Sequence, residues 1–152
     1  MCSSDLEKFQ LEKIKTIGDA YMVAAGVPQP HENHALELTA FALWMLRQTD
    51  EFNTEHGTDL HIRIGICSGP VIAGVIGHKK FAYDLWGDTV NMAARMEQTG
   101  IEDKIQVTES TFQLLHGHYR FARRDDVEIK GKGTMHTYIL EADHPSGIAG
   151  VA

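Results

Sequence analysis

The sequence predicts an α/β (α+β) fold in which a mixed or antiparallel sheet is covered by helices. Three patterns carry that expectation. Asp59 to Ser68 alternates, with Leu60, Ile62, Ile64 and Ile66 on one face and His61, Arg63 and Gly65 on the other, the period of a half-buried strand. Asn33 to Gly57 sets Leu38, Phe41, Met45 and Phe52 along one side of a long helix. Further short β-prone runs surround these two, so strands outnumber helices while the helices interleave with them.

Taken in order, Met1 to Gln10 is polar and predicts no element. Leu11 to Ile17 and Ala20 to Gly26 are β-prone runs joined by Gly18-Asp19, the signature of a hairpin. Pro28 and Pro30 break the pattern before the long helix, whose further bulk (Leu43, Trp44, Leu46) assigns it to the core and in part to an interface. After the alternating strand, Gly69-Pro70 turns the chain into Val71 to Ile76, and Lys79-Lys80 forms a charged corner. A strand from Phe81 turns at Gly87 into a helix with Asp88 as N-cap and Gly100 as a left-handed stop. Lys104 to Thr108 predicts a strand, Ser110 to Leu115 a short helix, and Tyr119 to Glu141 strands around Gly131-Lys132-Gly133. The tail from Asp143 to Ala152 is expected to be disordered, leaving residues 1–142 as one domain without internal repeats.

The bulk properties narrow the function. At 152 residues, 43% hydrophobic and 23% charged, the chain has the composition of an ordinary globular domain with one core. A formal charge of −7 argues against general nucleic-acid binding, yet a few local cations suffice to hold a nucleotide. No apolar run approaches the roughly 20 residues needed to span a bilayer, and no signal peptide is visible at Met1, so no membrane contact is expected within this chain. Cys2 and Cys67 build no disulfide framework, which fits a cytoplasmic protein.

The stretch with chemical content is Phe81 to Glu97. Asn91 and Arg95 are four residues apart, hence on one helix face, among Val90, Met92, Ala93, Ala94 and Met96. Spacing alone leaves two readings open: a solvated helix edge, or an amide and a guanidinium aimed at an anionic ligand. Asp84 and Trp86 precede the turn, at a strand-to-helix corner where α/β proteins place ligand contacts. Tyr-Asp-Leu-Trp-Gly-Asp-Thr-Val-Asn-Met-Ala-Ala-Arg-Met, together with the upstream Lys13-Ile-Lys-Thr-Ile-Gly-Asp-Ala-Tyr-Met22, resembles the class III nucleotidyl cyclases, the adenylyl and guanylyl cyclase catalytic domains. The resemblance runs from about Leu11 to about Glu141 and rests on two long signatures in the right order.

That resemblance implies a ferredoxin-like core used as a homodimer or heterodimer. It also implies a reaction in which the ribose 3′-hydroxyl of ATP attacks its own α-phosphorus and pyrophosphate leaves, assisted by two Mg²⁺ or Mn²⁺ ions. Carried over position by position, Asp19 matches a metal-binding aspartate, and Lys15 and Asp84 match the purine-reading pair. Lysine only donates and carboxylate only accepts, so this pair suits adenine, whereas guanylyl cyclases carry Glu and Cys there. Asn91 matches the residue that orients the ribose and Arg95 the one that stabilises the pentavalent phosphorus. Lys130 matches the lysine that meets the terminal phosphates. On residues alone, Asp19 is equally a turn aspartate, Lys15 an exposed strand lysine and Lys130 a turn lysine.

The chain departs from the family pattern at one point. The other metal aspartate of the family lies several tens of residues upstream, in a strand reading roughly Asp-Ile-x-Gly-Phe, and Asp5 lacks that context. The expectation is an N-terminally truncated adenylyl cyclase catalytic domain, inactive alone, with a non-catalytic cyclase-homology module that binds nucleotide or pairs with a complete cyclase as the alternative. The nine histidines show no metal-ligand spacing and are assigned to surface or structural roles.

Overall fold

A computed structural model describes residues 3–141, so the expected tail at Asp143 to Ala152 lies outside the described residues. The fold is mixed α+β. Its centre is a four-stranded sheet of β3 (Ile64–Ile66), β6 (Ile105–Val107), β8 (Gly133–Leu140) and β7 (Phe121–Ile129), in that order across the sheet. β3 and β6 run parallel, and the remaining pairs are antiparallel. Two hairpins stand apart from it: β1 (Leu11–Ile17) with β2 (Ala20–Ala25), and β4 (Ile72–Ile76) with β5 (Ala82–Trp86).

Strand alternation divides the sheet between two sets of helices. Ile66, Ile105, Val107, Tyr138 and Leu140 pack with Ala35 and Ala42 of α2 (His34–His56) and Leu115 of α4 (Glu109–Leu115). The residues between them, Gly65, Gln106 and Thr137, face the other way, towards α3 (Asp88–Gln98). On that side Met92 and Met96 of α3 pack with Val127 and Ile129. α3 comes so close to β3 that a Cβ on Gly65 would stand 2.2 Å from the Glu97 nitrogen and 2.6 Å from the Ala93 oxygen. Among the described residues no helix is long and apolar enough to cross a membrane.

The β1–β2 hairpin, the strands β4 and β5, α2 with its left-handed stop at Gly57, α4 and the β7–β8 pair lie where the sequence predicts them, and β4 and β5 pair as a second hairpin. Five details differ. The alternating run from Asp59 to Ser68 joins the ladder only at Ile64–Ile66, because its partner β6 is three residues long and the preceding loop is held by side chains instead. Asn53 bonds both the N–H and the carbonyl of Leu60, and His61 is clasped between Asp59 (3.0 Å) and Asp103 (2.6 Å). Asp88 is the first helical residue of α3 and Gly87, at φ 125°, is its N-cap, a conformation that favours glycine. The helix ends at Thr99 with φ −96°, so Gly100 is not a left-handed stop; a Cβ there would meet the Met96 oxygen at 2.9 Å. Finally, the polar N-terminal segment forms α1 (Ser3–Lys8), whose buried Leu6, followed by Phe9, covers Phe41 and Trp44 of α2. Phe52, expected in the core, is 45% exposed.

Gly65→Ala is expected to lower stability by about 1–3 kcal/mol, since α3 must be displaced to admit the methyl group; an unchanged urea midpoint would refute the backbone contact. A second expectation concerns His61, whose pKa is raised by the hydrogen bond and charge of Asp103, with Asp59 and Glu102 adding to it. The folded state therefore holds this proton to higher pH than the unfolded chain. The clasp contributes fully below the ordinary histidine value of 6.5 and fades as pH rises through the folded value. The stability difference between the parent and His61→Gln should shrink on going from mildly acidic to alkaline pH; a difference independent of pH would refute the charged clasp.

Candidate active site

The site is assembled where the two hairpins meet. Lys15 lies on β1 beside a register shift between Lys13 and Lys15, and Asp84 lies on β5 opposite Gly74. They are 69 positions apart in sequence, yet Lys15 Nζ donates to Asp84 Oδ2 at 2.9 Å. The other carboxylate oxygen, Oδ1, accepts the Leu85 N–H at 2.7 Å. The Lys15 hydrogen bond, then that of Leu85, holds the Asp84 carboxyl below the usual carboxylate range. The side chains are 41% and 13% exposed, so a fixed carboxylate stands beside a reachable ammonium. Such a pair presents a donor next to an acceptor, and fits a ligand edge with the complementary pattern.

Gly87 turns β5 directly into α3, so the same corner that sets Asp84 also sets the helix carrying Asn91 and Arg95. Thr89 Oγ1 fastens the start of α3 by donating to the Pro70 carbonyl at 2.7 Å. Asn91 is exposed and its side chain has no hydrogen-bond partner among the described residues. Arg95, half-buried in the last turn, donates to Gln98 Oε1 at 3.0 Å through Nη1, leaving other guanidinium donors for a ligand. Both side chains are thus available on one helix face.

Lys130 stands exposed at the β7–β8 turn and makes no ion pair among the described residues. Two residues on, Lys132 reaches Asp88 at 2.9 Å and ties this turn to the start of α3. A groove of about 350 Å³ opens beside that bridge, lined in part by Cys67, Ser68, Thr89 and Met135. Sequence reasoning missed the Asp88–Lys132 bridge. Its only signal was a second lysine in Ile-Lys-Gly-Lys-Gly, with nothing to say which acid it would meet.

Asp19 is exposed at the tip of the β1–β2 hairpin. Among the described residues no three His, Cys, Asp or Glu side chains converge as a metal would require. One carboxylate does not make a divalent-ion site, and the described residues present no cluster that would complete a two-ion arrangement.

Comparison with known proteins identifies the family and the fold. The adenylate and guanylate cyclase catalytic domain family matches residues 3–142. An adenylate cyclase of Mycobacterium tuberculosis is 41% identical over 135 residues, which cover 89% of this chain and 30% of that protein. The guanylate cyclase soluble subunit beta-2 of Rattus norvegicus is 46% identical over 130 residues, covering 84% of this chain and 19% of that one. The chain therefore spans less than a third of these relatives' length. The crystal structure of the guanylate cyclase domain of RhGC from Catenaria anguillulae, in complex with GTP, superposes with a TM-score of 0.85 at 39% identity. That match covers 93% of this chain and 78% of the other. With its fold and the whole of its described length matched, the chain belongs to the adenylate and guanylate cyclase catalytic domain family.

Proposed function

We propose that this chain supplies the purine-reading and transition-state residues of an adenylate cyclase. The observation that carries the reading is the 2.9 Å pair of Lys15 and Asp84. Adenine offers a ring nitrogen that accepts and a 6-amino group that donates, the pattern a lysine beside a carboxylate complements. Guanine offers the reverse, and would leave both side chains mismatched at a cost that discriminates strongly. The lowered pKa of Asp84 keeps it an acceptor at working pH.

With the base held there, Asn91 orients the ribose so that its 3′-oxygen lines up with the α-phosphorus. As that bond forms and the bond to pyrophosphate breaks, charge grows on the phosphorus oxygens, and the planar guanidinium of Arg95 meets two of them at once. Lys130 stands free at the β7–β8 turn to meet the terminal phosphates. Asp19 would hold a divalent ion through one carboxylate, and that ion would supply neutralisation of phosphate charge and acidification of the hydroxyl. The remaining ligands have to come from substrate, water or a second chain.

A second cyclase domain is the partner we infer. β4–β5 exposes Ile72 (67%), Val75 (64%), Ile76 (50%) and Trp86 (38%), flanked by Phe81 at 74%. Ile72, Ile76 and Trp86 share one face of the ribbon with Asp84, and exposed apolar side chains at this density mark an interface. That no group of three metal-ligating side chains forms among the described residues favours a second reading, a cyclase-homology module that binds nucleotide and completes a partner's site without turning over alone.

The reading is tested by pairing this chain with a cyclase domain that keeps both metal carboxylates but lacks its own counterpart of Arg95, so that turnover depends on this chain. With Mn²⁺, ATP should be converted in preference to GTP, and Lys15→Glu combined with Asp84→Cys should shift the preference towards GTP. A parent that prefers GTP refutes the purine assignment. Arg95→Ala should reduce kcat on the order of 10²–10³-fold while nucleotide binding changes little. Near-parental turnover in that variant would remove Arg95 from the mechanism.

A further inference from the structure

Gln106 sits in the middle of the sheet with no exposed surface (0%), between Ile105 and Val107, which face α2 and α4. It therefore points at α3, and its amide is saturated. Nε2 donates to the Met96 carbonyl and to Thr99 Oγ1, both at 2.9 Å. Oε1 accepts from Arg124 Nη1 at 2.7 Å and from Thr137 Oγ1 at 2.8 Å. A primary amide has two donor hydrogens and two acceptor lone pairs, so glutamine satisfies four partners that neither a carboxylate nor an apolar side chain could.

The bonds continue to a residue of the candidate site. Thr99 Oγ1, having accepted from Gln106, donates to the Arg95 carbonyl at 2.8 Å, and the Thr99 N–H reaches the same oxygen at 3.0 Å. Arg124 closes the ring by donating to the Thr99 carbonyl at 2.6 Å. Arg95 lies in the last turn of an eleven-residue helix, where carbonyls run out of helical partners and helices fray. This ring pins that turn to β6, β7 and β8.

We propose that Gln106, acting through Thr99, is a positioning residue for Arg95: it fixes the backbone from which the guanidinium reaches the phosphorus oxygens. The proposal rests on the role of Arg95 given above. A residue that only stabilised the fold would lower active protein without altering the kinetics of what remains. A positioning residue lowers kcat in folded protein, because small misplacements of a transition-state group are costly.

The test uses the paired assay above, in which only this chain supplies Arg95. Thr99→Val keeps the branched shape and removes the hydroxyl; Thr99→Ser keeps the hydroxyl. Folded Thr99→Val should lose on the order of tenfold in kcat with KM for ATP nearly unchanged, and Thr99→Ser should remain close to the parent. Gln106→Met should behave like Thr99→Val with lower stability. In the Arg95→Ala background Thr99→Val should cost nothing further. Hydrogen exchange provides a second measurement that needs no turnover: the Thr99 and Gly100 amides should exchange faster in Thr99→Val and not in Thr99→Ser. Parental kcat in folded Thr99→Val, a loss that persists in full beside Arg95→Ala, or unaltered exchange would each overturn the proposal. Parental turnover of Arg95→Ala itself would instead refute the functional reading on which it stands.

Discussion

α3 lies against β3 backbone to backbone, with no side chain between them. That contact exists because Gly65 has no Cβ, and the candidate-site residues carried by α3 inherit their position from it. Met92 and Met96 can bury themselves over Val127 and Ile129 only from this height, and the Gln106 amide can reach Met96 and Thr99 only from this height. Asn91 and Arg95 then emerge on the free side of the helix, and Gly87 fixes their offset from Asp84. Dense packing transmits such constraints because it leaves no slack to absorb a shift.

Electrostatics here is local. The chain carries a net charge of −7, a poor start for binding a triphosphate. Yet each cation has its own local setting: Lys15 lies on β1, Arg95 on α3, and Lys130 and Lys132 at the β7–β8 turn. Each is treated differently: Lys15 and Lys132 have carboxylate partners, Arg95 spends one donor on an amide, and Lys130 has no ion-pair partner among the described residues. Side-chain partners, more than total charge, determine what each cation has left to offer a ligand.

Much of this was legible in the sequence because it is local. The Gly18-Asp19 turn, the Gly57 stop and the strands around Gly131-Lys132-Gly133 follow from backbone preferences within a few residues. The motifs from Lys13 to Met22 and from Tyr83 to Met96 named the candidate site, and the structure brings one residue of each, Lys15 and Asp84, into contact. What failed was long-range. The alternation from Asp59 to Ser68 is genuine, but a strand extends only as far as its partner, and β6 is short. Asp88 reads as a cap until Lys132 arrives from another turn. Gln106 looked like an ordinary polar residue in a strand, since no local pattern reveals four partners on α3, β7 and β8.

The Lys15–Asp84 pair joins two ribbons that share no ladder of backbone hydrogen bonds. Each ribbon is a two-stranded hairpin, a unit that is weak unless it leans on something else. The pair therefore sits on a seam. A ligand edge that bonds both side chains would do mechanical work there, acting as a rivet between parts that thermal motion can otherwise part. Nucleotide binding and stiffening of this seam would then be one event, felt in whatever surface rests on the outer strands.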